Sequence, residues 1–282
     1  MAVRIITDSG SDILPGEMEG LTVLPLTIAF GNDVYHDGVD LSHEHFFELL
    51  VEGKELPTTG QVPPFRFSQA FEQIVADGDE AVVVTISSEV SGTWESACSA
   101  AADFGDQIHV VDSLEVSVGE RILVQIALQL AEEGKSADEI AAHLDECKHD
   151  IHFLALLDTL EYLRRGGRIS NVSAALGTLL AIKPVVTCTE GKIVVLDKPR
   201  GLKNGRAIIA DIIKKEGGID FDRPCSIAYT GLSDKPARQF LDSCTDLWEG
   251  KGTVPVSSTG GTIGTHAGPG GFILAYFGND SR

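Results

Sequence analysis

From Val3 to about Asp150, short β-branched and aliphatic runs alternate with stretches of helical periodicity. The runs VRIITDS (from Val3), AVVVTIS (Ala81 to Ser87) and IHVVDS (Ile108 to Ser113) are apolar at odd and even positions alike, as parallel strands covered on both faces must be. SGTWESACSAAADFG follows the second run and VGERILVQIALQLAEEG the third, both of helical length and both closed by glycine. Ser136 to Glu139 reads as a capping box opening another helix toward His149. The segment from Leu21 to Asp40 interrupts this rhythm and predicts a β-hairpin turning at Gly31 and Asn32.

Beyond about Ile151 the texture changes. IHFLALLDT leads into a short helix, and a second hairpin is predicted about Glu190 and Gly191. Amphipathic helices over about Leu202 to Glu216 and Lys235 to Trp248, with the runs CSIAYTG and GGFILAYFG, complete the chain. The predicted fold class is therefore α/β in two domains. A Rossmann-like parallel-sheet domain spans 1–150, with the hairpin insertion near 21–40, and an α+β domain with a mixed sheet spans 151–282.

Composition narrows the function classes. Hydrophobic residues are 43% and charged residues 23% of 282, the balance of a folded globular chain. With 22 Lys+Arg against 42 Asp+Glu the formal charge is -20, which repels a phosphate backbone, so no nucleic-acid partner is expected. The five cysteines (98, 147, 188, 225 and 244) lie far apart without a CxxC pair, so neither a zinc cluster nor a disulfide framework is expected. Asp8 and Asp12 interrupt the N-terminus before an apolar leader forms, and no stretch has the ~20 consecutive apolar residues of a membrane span. A cytoplasmic protein without stable membrane insertion is expected.

Chemistry concentrates in four places. Ser87 to Thr93 joins a buried strand to a helix, where free N–H groups and the helix dipole suit an anion; Ser91 or Thr93 as a plain N-cap is the simpler alternative. The Pro/Gly-punctuated loop from Leu56 to Pro64 carries Thr59 toward the same sheet edge, and a simple capped turn is its alternative. His266, in GTHAGPG, is either a donor or base toward an anion or a structural histidine in a tight turn. Arg164, Arg165 and Arg168 gather three scarce cations that either meet an acidic partner or stabilise a helix end. There is no P-loop and no dinucleotide fingerprint. His43 and His45 cannot share a helix face, so they are expected to be solvent-exposed and no metal is expected.

In order along the chain, TDSGSD (Thr7 to Asp12), the Thr-rich loop with Gln61, SSEVSGTWESA, VDS, YLRRGGRIS, IKPVV with its EGKI hairpin, and GTHAGPGG resemble the DegV family. The resemblance implies a bacterial two-domain protein that binds a long-chain fatty acid in the cleft between its domains, similar to the lipid-binding subunit of fatty acid kinase. On that pattern Thr59, Ser91, Gly92, Thr93, His266 and Arg168 surround the carboxylate. This chain departs from the pattern at Gly60, where a hydroxyl is usual.

The resemblance also implies no cofactor and no catalysis by the chain itself, with an ATP-dependent kinase catalytic subunit as partner. Arg164, Arg165 and Arg200 are candidate docking residues for it. IHFLALL and VSAALGTLLAI are candidates for an acyl tunnel or for ordinary core. The rival is a serine hydrolase with Ser91 as nucleophile, His266 as base and Asp8 or Asp112 as orienting acid, although Ser91 lacks a GxSxG elbow. A regulatory protein binding a small soluble anion is a third reading.

Overall fold

The computed structural model describes residues 2–53, 56–169, 181–250 and 254–279. Strand β1 (Val3–Asp8) pairs in parallel with β2 (Leu21–Leu24) on one side. The antiparallel pair β3 (Thr27–Phe30) and β4 (Asp33–His36) follows, then helix α1 (His43–Glu52) and β5 (Thr58–Gly60), which joins the free edge of β3. Helix α2 (Pro64–Ala76) leads to β6 (Glu80–Thr85), α3 (Thr93–Ala101), β7 (Ile108–Asp112), α4 (Val118–Glu132) and α5 (Ala137–Cys147). The parallel sheet runs β2-β1-β6-β7.

The doubly apolar strands are explained by what covers them. Val83 and Ile6 face Phe67, Phe71 and Ala97 of α2 and α3, whereas Val82, Val84 and Ile5 face Ile122, Ile140 and Leu144 of α4 and α5. The expected capping box is present, with Ser136 and Glu139 bonding reciprocally.

The expected hairpin needs correction. Leu21 to Leu24 is an edge strand of the parallel sheet, and only Thr27 to His36 forms the hairpin; Pro25, which donates no N–H, separates the two. The Thr59 loop is itself a strand, and β4-β3-β5 is a separate three-stranded sheet. His43 also corrects the expectation of exposure. It lies with Phe46, Phe47 and Leu50 on the buried face of α1, its Nδ1 2.9 Å from Ser258 Oγ, while His45 is exposed beside Glu48.

After residue 150 come β8 (Ile151–Leu156), α6 (Glu161–Arg165), β9 (Val185–Thr189), β10 (Lys192–Asp197), α7 (Leu202–Lys215), β11 (Ser226–Tyr229), α8 (Lys235–Ser243), β12 (Val256–Ser258), α9 (Gly261–Ala267) and β13 (Phe272–Phe277). Their mixed sheet runs β10-β9-β8-β13-β11-β12, with only β11 and β12 parallel. Strand alternation sorts its two faces. Leu154, Leu156, Phe272 and Leu274 pack beneath α7 and α8, whereas Phe153, Ala155, Leu157 and Ile273 face the first sheet and α4. The segment holding His266 is a helix, α9, and not the expected tight turn.

Candidate functional site

Where the second sheet's inner face meets the carboxyl edge of the first lies a cavity of about 340 Å³, within the range of small-molecule sites. Its apolar wall comes from Phe153, Ala155 and Leu157 at alternate positions of β8 and just beyond it, with Val186, Ile193 and Ile273 beside them. Ile86, Val90 and Val116 close it from the first sheet, and Leu163, Ile263 and Ala267 from α6 and α9. The β9–β10 turn rests on the sheet edge, where Ser87 Oγ donates to Gly191 O at 2.9 Å and Lys192 pairs with Glu89.

The polar part of the lining is contiguous. Thr59 Oγ1 lies 2.9 Å from His266 Nε2. Gln61, two residues after Thr59, donates from Nε2 to Ser96 Oγ on α3 and packs so tightly on Gly92 that a Cβ there would overlap its amide. Ser91 Oγ lies 2.9 Å from Thr93 Oγ1 and accepts from Thr93 N at 3.3 Å. Arg168 donates to Val90 O and Gly166 O at the exposed rim. Thus the structure brings Thr59, Ser91, Gly92, Arg168 and His266 to one cavity lining. Thr93 stands behind it, buried, with Val62 N donating to its hydroxyl.

Burial pushes His266 down to about 4, and the guanidinium of Arg168 adds to the shift, so the ring is neutral near pH 7. Its Nδ1 is buried, has no hydrogen-bond partner among the described residues, and faces Gly166, where a Cβ would overlap it. The missing hydroxyl at Gly60 also has a steric reason, since a Cβ there would come within 2.5 Å of Thr27 Oγ1 on the paired strand.

The hydrolase arrangement is not assembled. Ser91 Oγ and His266 Nε2 bond to threonines and not to each other. Asp8 accepts from Gly10 N and Ile86 N, and Asp112 from Ser88 N and Leu114 N. Arg164 and Arg165 both reach Glu161, so the basic island is partly neutralised within its own helix. Arg200 is exposed just ahead of α7, its carbonyl accepting from Asn204. IHFLALL lines the cavity as well as the core, whereas Val172 to Leu180 lie outside the described residues. Among the described residues no cluster of His, Cys, Asp or Glu could hold a metal ion, and no helix is long and apolar enough to cross a membrane.

Sequence reasoning missed Gly166, Asp12 and Asp37. Nothing local marks the bonds of the two aspartates to α9, because the N–H groups they accept from there lie more than 200 residues away; Gly166 carried a signal only as part of a Gly-Gly pair.

Comparison with known proteins agrees with the architecture. Residues 2–278 match the model of the family described as "Uncharacterised protein, DegV family". A DegV domain-containing protein of Caldanaerobacter subterraneus subsp. tengcongensis is 37% identical over 275 residues, covering 95% of each chain. A structure described as fatty acid binding of a DegV family protein from Thermus thermophilus superimposes with a TM-score of 0.88 at 30% identity, covering 98% of this chain and 100% of that one. A DegV family protein of Eubacterium eligens loaded with heptadecanoic acid superimposes with a TM-score of 0.83 at 26% identity, covering 99% and 100%. With the motifs in register, the family model matched over residues 2–278 and the fold shared, the chain belongs to the DegV family.

Proposed function

We propose that this chain binds a long-chain fatty acid, holding its carboxylate at the Thr59, Ser91 and His266 end of the cavity and its acyl chain against β8, β9 and β13. The observation that carries this reading is a single cavity with apolar walls and a contiguous set of hydroxyls, imidazole and guanidinium. An unpaired carboxylate is costly to bury, so such a ligand needs those donors, while each buried methylene contributes about 0.8 kcal/mol. The fatty acid binding described for the Thermus relative and the heptadecanoic acid loaded in the Eubacterium one support the ligand class.

The finer reading is presentation. The chain holds the carboxylate for a separate ATP-dependent kinase, which converts it to an acyl phosphate, and the arginines near the rim meet that partner. On this reading 1–150 and 151–282 are two domains with the ligand cleft between them, and the chain is a cytoplasmic, non-catalytic subunit.

The test is displacement of a fluorescent fatty acid from delipidated protein by palmitate and by hexadecanol. The reading expects palmitate to compete at far lower concentration, because only a carboxylate uses the donors. Equal competition by the alcohol, or none by either, contradicts it. For presentation, acyl phosphate must form only when kinase, ATP and this chain are combined.

A further inference from the structure

We infer that Asp37, together with Asp12, is a positioning residue that sets His266 in the cavity by clamping the start of α9 from across the fold. The inference rests on the role given to His266 above.

Helix α9 cannot hold itself. It has seven residues, two of them glycine, a poor helix former, and so short a helix is unstable alone. Its N-cap, Gly260, has no side chain to satisfy the first free N–H groups.

Carboxyl groups distant in sequence do so instead. Gly260 N donates to Asp12 Oδ1 at 2.6 Å, Gly261 N to Asp37 Oδ1 at 2.9 Å and Thr262 N to Asp37 Oδ2 at 2.9 Å, all buried. Asp37 therefore spends both oxygens on consecutive donors, which fixes the direction of the helix as well as its place.

The other end of α9 is held by the same small sheet. Asp37 directly follows β4, Thr59 lies on β5, and β3 pairs with both, placing Ile28 opposite Thr59 and next to Tyr35. Ile28 and Phe46 lie so close beneath Gly261 that a Cβ there would overlap Ile28. The small sheet and the residue that follows it thus hold α9 at its first turn through Asp37 and at His266 through Thr59.

Asp12 carries a sign of constraint. It sits at φ 56, and Ser117, whose Oγ donates to its Oδ2 at 2.5 Å, sits at φ 55. Such conformations are costly for non-glycine residues and persist only where the surroundings impose them.

The experiment uses Asp37→Asn, which keeps the shape but offers one acceptor where two N–H groups need one each. Three quantities are read on the full chain: fatty-acid affinity, the same affinity in a His266→Ala background, and the His266 Cε1–H resonance of the ligand-free protein. A clamp acting through His266 predicts at least about a fivefold loss of affinity that shrinks below about twofold once His266 is gone, with a displaced or broadened resonance. Equal loss in both backgrounds, or an unmoved resonance, overturns it.

Should Asp37→Asn fail to fold, Asp12→Gly, which suits the backbone at φ 56, removes the acceptor of Gly260 N while leaving both Asp37 contacts in place, and is judged on the same three readings. Should the wild type take up no fatty acid, or His266→Ala bind it unchanged, the proposed role of His266 fails and the resonance alone decides the clamp.

Discussion

Thr59 Oγ1 and His266 Nε2 lie 2.9 Å apart across 207 residues of sequence, joining the small three-stranded sheet to the last helix at the cavity wall. With the ring neutral, the tautomer that donates from Nε2 leaves the Thr59 hydroxyl proton free for a ligand oxygen. Thr59→Val, which keeps the shape and removes that donor, is expected to weaken fatty-acid binding by about 10- to 150-fold, the worth of one hydrogen bond to a charged group. Thr59→Ser is expected to stay within a few-fold of wild type. Competition titration of both variants checks this, and an unaltered Thr59→Val contradicts it.

Gly166 and Gly167 separate a steric role from a conformational one. Gly166 has an ordinary helical backbone at φ -71, but a Cβ there overlaps His266 Nδ1; Gly167 has φ +71 and open space. Gly166→Ala is expected to displace the imidazole and weaken binding while leaving thermal stability near wild type. Gly167→Ala is expected to lose about 1 kcal/mol of stability and keep its affinity. Denaturation and binding measured on both variants check the pair, and a reversed pattern contradicts the account.

Buried acids set a pH dependence of stability. Burial raises Asp8 to about 7 and Asp12 to about 8, each from an ordinary 3.8. Between those limits the folded chain keeps protons that the unfolded chain has released, so this contribution is complete below pH 3.8 and is lost as pH rises toward 7 and 8. Asp12→Asn is expected to flatten the fall by up to about 1.4 kcal/mol per pH unit and to reduce proton release on unfolding. Calorimetry in buffers of different ionisation enthalpy reads this, and an unchanged release contradicts it.

Arg164 and Arg165 share Glu161, at 2.9 and 2.5 Å. If these cations steer the kinase, Glu161→Gln is expected to raise the rate of acyl-phosphate formation at low salt and Arg165→Glu to lower it. Both effects should fade as salt rises, since exposed charges are screened over about 8–10 Å. Rates of the two variants matching wild type at every ionic strength remove the docking role.

Sequence patterning revealed what depends on local chemistry. The doubly apolar runs near Val82 and Val111 identified covered parallel strands, and Ser136 with Glu139 marked a helix start, because neighbours in sequence settle both. That Thr59, Ser91 and His266 would come to one place was legible through hydroxyls and glycines at element ends, helped by the family pattern, and all three line one cavity. The helix carrying His266 was not legible. Its glycines read as a turn, and the groups that make it a helix, Asp12, Asp37, Phe46 and Phe47, stand more than 200 residues away. His43 was misjudged for a related reason, since the partner of its ring, Ser258, lies on a strand of the other sheet.

The central claim is that the cavity holds a long-chain fatty acid by its carboxylate. The most direct measurement is mass spectrometry of small molecules released by denaturing extraction, from protein as purified and from delipidated protein re-exposed to mixed fatty acids. The account predicts one fatty acid per chain, retained by wild type and depleted in the Ser91→Ala and Thr59→Val variants. Protein that yields no fatty acid before or after re-exposure, or variants that retain it as fully as wild type, would contradict it.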